Sequence, residues 1–202
     1  MGLHNAGYEV TGIDIVHQPD YPFTFIIGDA SHPPVRLERF DFIWASPPCQ
    51  KYSTANTSFK EYFEYIPVIR ELLGGSGVPY CIENVPNAPI RRDLLLCGRM
   101  FGLNTIRHRN FEISGFRVEQ PRHPHHFSQH NNYVCVCGHQ TPPKPNREYR
   151  IKRGLSKYPS KKECSEALGI SWMRGKALMQ AIPPIYSEYI GTACIAENGV
   201  SE

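Results

Sequence analysis

Long hydrophobic runs are missing from this chain of 202 residues, whose apolar stretches are only a few residues long. A bilayer-spanning helix needs about 20 consecutive apolar residues, so none is expected. The N-terminus lacks the apolar core of a secretion signal, and Ala6 stands where a myristoylation site wants Ser or Thr. A cytoplasmic protein with no membrane partner is expected. An even set of cysteines is also lacking: the seven present, without a secretion signal, argue for reduced thiols and against a disulfide framework. Nor is there a large charge excess, since a net charge of +3 is too small to establish an anionic partner by itself. The length suits one domain, or one domain with a modest appendage, and a monomer is expected.

What the chain does contain is a series of short apolar strands that stop on polar or reactive residues. Glu9 to Asp14 read as a strand ending on an acid, and Phe23 to Ile27 as a second that runs into Gly28-Asp29-Ala30. Phe40 to Ala45 make a third, stopped by Pro47-Pro48 with Cys49 following at once. Val78 to Ile82 make a fourth, ending on Glu83-Asn84-Val85. A helix is expected from Phe59 to Leu73, bent at Pro67 and closed by Gly74-Gly75. Strands alternating with connections of this length predict an α/β fold with a parallel sheet, whose carboxyl edge is where ligands bind.

Cys49 therefore stands where such a fold delivers a reactive side chain. A proline-stiffened strand exit with a small buried cysteine fits the same residues, and the stretch alone leaves both readings open. Glu83, at the end of the next strand, could put a carboxyl group beside the thiol, and in a crevice such a group can act as a proton donor. Asp14 is placed to meet a ribose hydroxyl. If Arg107-His108-Arg109 is extended, Arg107 and Arg109 share one face and could grip carbonyl oxygens or phosphates.

From about Gly115 to Pro159 the regular pattern fades into a proline- and histidine-rich stretch of mainly loop character. Basic residues concentrate towards its end. Lys144, Arg147, Arg150, Lys152 and Arg153 lead a run that continues to Lys162 against the single acid Glu148, a candidate phosphate-binding strip. The same stretch holds His123, His125, His126, His130, Cys135, Cys137 and His139. Its Cys-x-Cys-x-His pattern, with His126, Cys135, Cys137 and His139 as the ligand candidates, could hold a structural zinc ion, although the spacing is not that of a standard finger. Ser160-Lys161-Lys162-Glu163 reads as a capping box that starts a helix closed at Gly169. A short helix after Ser171 and a last one from Ile185 to Glu197 follow, separated by Pro183-Pro184.

In their order and spacing, Pro47-Pro48-Cys49-Gln50, Glu83-Asn84-Val85, Arg107-His108-Arg109 and Gln180-Ala181-Ile182-Pro183-Pro184 resemble the DNA cytosine carbon-5 methyltransferases over nearly the whole chain. The resemblance implies a Rossmann-like class I methyltransferase sheet with a small target-recognition insertion. It divides the chain into a catalytic core at residues 1–114, the insertion at 115–159 and returning helices at 160–202. It also implies S-adenosylmethionine as methyl donor, held at Asp14, Ile15, Asp29, Ala30 and Pro48, and double-stranded DNA as partner.

Carbon 5 of cytosine is a poor nucleophile until a thiolate adds to carbon 6. By resemblance Cys49 supplies the thiolate, Glu83 protonates or hydrogen-bonds N3, Arg109 holds the base carbonyl, and Arg107 supports them. The target base must leave the duplex to be reached. Two departures from the family stand out. Met179-Gln180 replaces a usual Gly-Asn, and the family's first strand, with the glycine-rich loop that cradles the methionine part, has no counterpart before Met1. That strand is central in the family, so an interruption in the sheet is expected. A catalytically inactive DNA-binding remnant and an enzyme acting on cytosine in RNA are the alternatives.

Overall fold

A computed structural model of the chain describes residues 1–52, 61–125, 133–136 and 144–199. These residues form a mixed α/β protein in two units, Met1–Leu95 with Arg109–Gln120 and Ser187–Glu202, and Leu96–His108 with Pro121–Tyr186.

In the first unit a single turn of helix, α1 (Gly2–Asn5), precedes β1 (Thr11–Asp14) and β2 (Thr24–Ile27), which pair in parallel with Asp14 opposite Ile27. A second sheet is built from β3 (Ile43–Ala45), β4 (Tyr80–Asn84), β5 (Leu94–Leu96) and β6 (Arg109–Ser114), in the order β3-β4-β6-β5. Strand β3 runs parallel to β4, whereas β6 is antiparallel to it. The sheet is thus mixed where a parallel one was expected. No crossover helix leads into β6, which is entered from the second unit, so the constraint that makes successive strands parallel does not apply. Among the described residues no ladder joins β1 to β3. The strands accordingly form two sheets.

All five residues of β4 are buried, which is why its sequence reads as a continuous run with no solvent-facing alternation. Helix α2 (Tyr65–Ser76) lays Ile66, Ile69 and Leu73 along one face against Tyr80, Ile82, Ala88 and Ile90. The expected bend at Pro67 has no basis, because α2 begins only two residues before the proline. In a first turn the missing N–H would have had no partner in any case. The helix also runs past Gly74-Gly75 and stops at Gly77, whose φ of +70° is the left-handed conformation that glycine adopts without strain.

The second unit holds α3 (Lys144–Lys152), α4 (Lys161–Leu168), α5 (Gly175–Gln180) and the start of α6 (Pro184–Asn198), whose later turns belong to the first unit. Its core joins Val134 and Val136 to Cys164, Ala167, Leu168, Ile170 and Leu178. The capping box is present: Ser160 Oγ accepts from Glu163 N at 3.2 Å while the Glu163 carboxylate accepts from Ser160 N at 2.7 Å. Helix α5 starts at Gly175 behind Arg174, so Ser171 does not cap it. Residues 96–108 belong with the insertion because Asn104, Thr105 and Arg107 hydrogen-bond Val134 and Val136. No helix among the described residues is long and apolar enough to cross a membrane.

Candidate functional site

Parallel pairing of β3 with β4, with Ala45 opposite Ile82, brings Ser46-Pro47 alongside Glu83-Asn84 just beyond the ladder. The buried amide of Asn84 then donates from Nδ2 to the Pro47 carbonyl at 2.9 Å, and its Oδ1 accepts from Val85 N at 2.9 Å. The Pro47-Pro48-Cys49 turn is thereby tied to the end of β4. Pro47 is buried, Pro48 is exposed and Cys49 is half-buried. Among the described residues Cys81, Cys97, Cys164 and Cys194 are the buried thiols, and burial, with Glu83 and Glu112 nearby, pushes the Cys81 thiol well above the ordinary cysteine range.

Because β6 is antiparallel, its first residue meets the last residues of β4. Glu83 lies opposite Phe111, so Arg109 is its diagonal neighbour on the same face. Arg109 Nε lies 2.8 Å from Glu83 Oε1, with both side chains largely withdrawn from solvent. Asn110 braces the same edge by donating from Nδ2 to the Pro86 carbonyl at 3.1 Å. One end of the sheet therefore collects a half-buried thiol, a buried carboxylate and an arginine that orients it. Such a set can supply a nucleophile together with a group able to share a proton with a bound heterocycle.

Arg107 is placed differently. It precedes β6 and lies in the second unit, where its Nη1 donates to the Val136 carbonyl at 2.7 Å and its Nη2 to the carbonyls of Met179 and Gln180, each at 3.0 Å. Its own carbonyl accepts from the buried Tyr186 hydroxyl at 2.7 Å. Arg107 is a positioning residue for the backbone around 136 and 180, and the expected two-arginine row on one strand is not formed.

At the other sheet, Asp14 ends β1 and accepts from Val16 N at 2.9 Å and Gln18 Nε2 at 3.3 Å. Asp29 follows β2 and accepts from Ser31 N at 2.8 Å and Ser31 Oγ at 2.7 Å, bonds that hold its carboxyl below the usual range. Ile15 is 68% exposed, and Ala30 is exposed as well. The two acids thus end neighbouring parallel strands, with Asp14 opposite the exposed Ile27.

The basic strip is in large part helical and is not continuous. Lys144, Lys152 and Arg153 are exposed, Arg147 is half-buried, and Arg153 stacks over the Tyr149 ring at 5.2 Å. Arg150 is a correction. It is buried, pairs with Glu163 at 2.9 and 3.2 Å, and donates to the Ser156 and Tyr158 carbonyls, so its guanidinium joins α3 to α4 and does not face a ligand. Of the expected zinc ligands, His126, Cys137 and His139 lie outside the described residues, and Cys135 is half-buried.

Sequence reasoning missed Asn84 as the tie between strand ends, Tyr186 as the brace of Arg107, and a grouping of Cys97, His108 and His123. Only the first had a signal, an amide directly after the strand-end acid. No protein-family model matches the chain, and neither does any curated protein.

Proposed function

We propose that the protein is a DNA cytosine carbon-5 methyltransferase with a Rossmann-like core, acting through Cys49. The observation that carries the reading is the Asn84 to Pro47 hydrogen bond, which sets the Cys49 turn against the strand end where Arg109 orients Glu83. Cys49 adds as thiolate to carbon 6 of the extrahelical cytosine, forming the carbon–sulfur bond and moving the ring electrons towards carbon 5 and N3. Glu83 hydrogen-bonds or protonates N3 and so offsets the charge that develops there. Arg109 holds Glu83 through Nε, and the reading assigns its Nη groups to the base carbonyl.

S-adenosylmethionine, when bound, supplies an electrophilic methyl group to carbon 5. The reading assigns Asp14 and Asp29 to its ribose and base, Ile15 and Ala30 to apolar contacts, and Pro48 to the side of the Cys49 turn. Turnover ends when the carbon-5 proton passes to water, the double bond between carbons 5 and 6 re-forms, and the carbon–sulfur bond breaks to return Cys49 as thiolate. Exposed Lys144, Lys152 and Arg153, with Arg147, supply phosphate contacts.

The test is trapping on duplex DNA containing 5-fluorocytosine, where carbon 5 has no proton to lose. With S-adenosylmethionine present, the protein is expected to form an adduct that survives denaturation, and Cys49→Ser to form none. An adduct retained by Cys49→Ser removes the nucleophile assignment. Adduct on RNA alone favours the RNA enzyme, and DNA binding without any adduct favours the inactive remnant.

A further inference from the structure

Outside the strand-end site, the second unit brings one thiol and two imidazoles together. Cys97 is buried at the start of a 3-10 turn, Gly98–Phe101, while His108 lies half-buried just before β6. His123 follows the Pro121 entry into the insertion. Their ligating atoms all lie within 4.8 Å of one another. The two imidazoles are nearly parallel, with 12° between planes and centroids 5.1 Å apart, and meet end-on, their Nε2 atoms 2.9 Å apart. Backbone N–H groups of Arg99 and Arg107 point at Cys97 Sγ. Burial nonetheless pushes the Cys97 thiol up, and these donors only partly offset it.

We propose that Cys97, His108 and His123 bind a zinc-type divalent metal ion that clips the insertion to the turn at Cys97. The donor set is one thiolate and two neutral imidazoles, which suits zinc and its tetrahedral substitute cobalt. A tetrahedral ion with ligands at about 2.0 to 2.3 Å separates its ligand atoms by roughly 3.3 to 3.8 Å. The imidazole nitrogens therefore need to part by about 0.4 Å from their 2.9 Å approach, and the rings, which now face each other end-on, to turn towards a common ion. Three protein ligands leave a fourth position for water or for another side chain. This set differs from the Cys-x-Cys-x-His reading in drawing two ligands from residues 96–108, which precede β6. A metal here would do for the entry of the insertion what a hydrophobic core does elsewhere, since residues 121–125 carry no helix or strand of their own. The proposal does not depend on the methyltransferase reading.

Titrating the full chain with cobalt(II) tests it. Expected are tetrahedral d–d bands and a thiolate-to-cobalt charge-transfer band, saturating at one ion per chain and displaced by zinc(II). Cys97→Ser is expected to lose the charge-transfer band, and His123→Ala to weaken binding by at least about 100-fold, the upper limit for removing a mere outer-shell partner. Cys49→Ser is expected to leave both unchanged. Since Cys97 is buried and its variant could misfold, His123→Ala carries the decision in that event. No cobalt spectrum in the intact chain reduces the pair to a hydrogen-bonded histidine couple and overturns the proposal. A spectrum that survives both variants but disappears in Cys137→Ser assigns the ion to the Cys-x-Cys-x-His set and overturns it equally.

Discussion

The Asn84 side-chain amide donates to the backbone carbonyl of Pro47 at 2.9 Å, joining the ends of two parallel strands through a side chain and not a ladder bond. Both partners are buried, so the bond has no water to replace it. Removing the amide leaves the Pro47 carbonyl unsatisfied, at a cost of about 1 to 3 kcal/mol. Asn84→Ala is expected to lower the rate of adduct formation with 5-fluorocytosine DNA by about 10- to 100-fold, the kinetic equivalent of that loss if it falls on the positioning of Cys49. An unaltered trapping rate would show that the turn holds its position without the amide.

Glu83 and Arg109 respond unequally to substitution. Glu83→Gln keeps a neutral acceptor beside the guanidinium, whereas Arg109→Met strands a buried carboxylate. The arginine variant is expected to be the less stable, by about 3 to 5 kcal/mol relative to the parent, and Glu83→Gln by less. Turnover is expected to fall strongly in both, with DNA binding largely kept in Glu83→Gln. Urea midpoints and single-turnover rates measured side by side check the pair, and equal stabilities would contradict it.

Acid should act on the second unit through Glu163. Hydrogen bonds from Arg150, outweighing the opposing effect of partial desolvation and joined by those from Ser160, hold the Glu163 carboxyl at about 2. The folded carboxylate thus binds its proton more weakly than the unfolded one. Its stabilisation is complete above the ordinary carboxylate range and is lost as pH falls towards 2. Glu163→Gln is expected to be less stable at neutral pH by on the order of 1 to 2 kcal/mol, between the exposed and buried limits for ion pairs. Its thermal midpoint should also vary less with pH over that acid window. A parallel pH profile for parent and variant would contradict the assignment.

Salt dependence separates the basic residues. Each phosphate contact contributes a slope of about −0.9 in log affinity against log salt on duplex DNA. Lys152→Ala and Arg153→Ala are each expected to reduce the slope by about that amount where they touch a phosphate, with no loss of fold. Arg150→Ala is expected instead to lower the unfolding midpoint, because it removes the α3–α4 tie. Fluorescence anisotropy at several salt concentrations, with thermal melts of the same samples, distinguishes the two outcomes.

The strands were legible because buried strands leave a plain signature: Tyr80-Cys81-Ile82 reads as apolar without interruption, and its strand is buried on both faces. The capping box at Ser160 and the helix stop at Gly169 were legible for a similar reason, since both depend on residues a few positions apart. The direction of β6 was not, because it depends on how residues 96–108 return to the sheet. Nor were the roles of Arg107 and Arg150. Both look like surface cations in sequence, and only the backbone carbonyls of residues 29 and more positions away, or of the turn after α3, make Arg107 and Arg150 internal. Of the strand-end site, Cys49 and Glu83 could be nominated from strand ends alone, whereas the amide that joins them needed the register.

The pairing of β1 with β2 alone has an energetic consequence. Two short parallel strands with no third neighbour among the described residues are weakly self-supporting, and Ile15, Val16 and Ile27 add little burial at their ends. Amide hydrogens of Thr11–Asp14 and Thr24–Ile27 should therefore exchange with deuterium well before those of β4. A ligand seated at Asp14 and Asp29 would slow that exchange selectively, which makes the rate at these few amides a reporter of occupancy that needs no turnover.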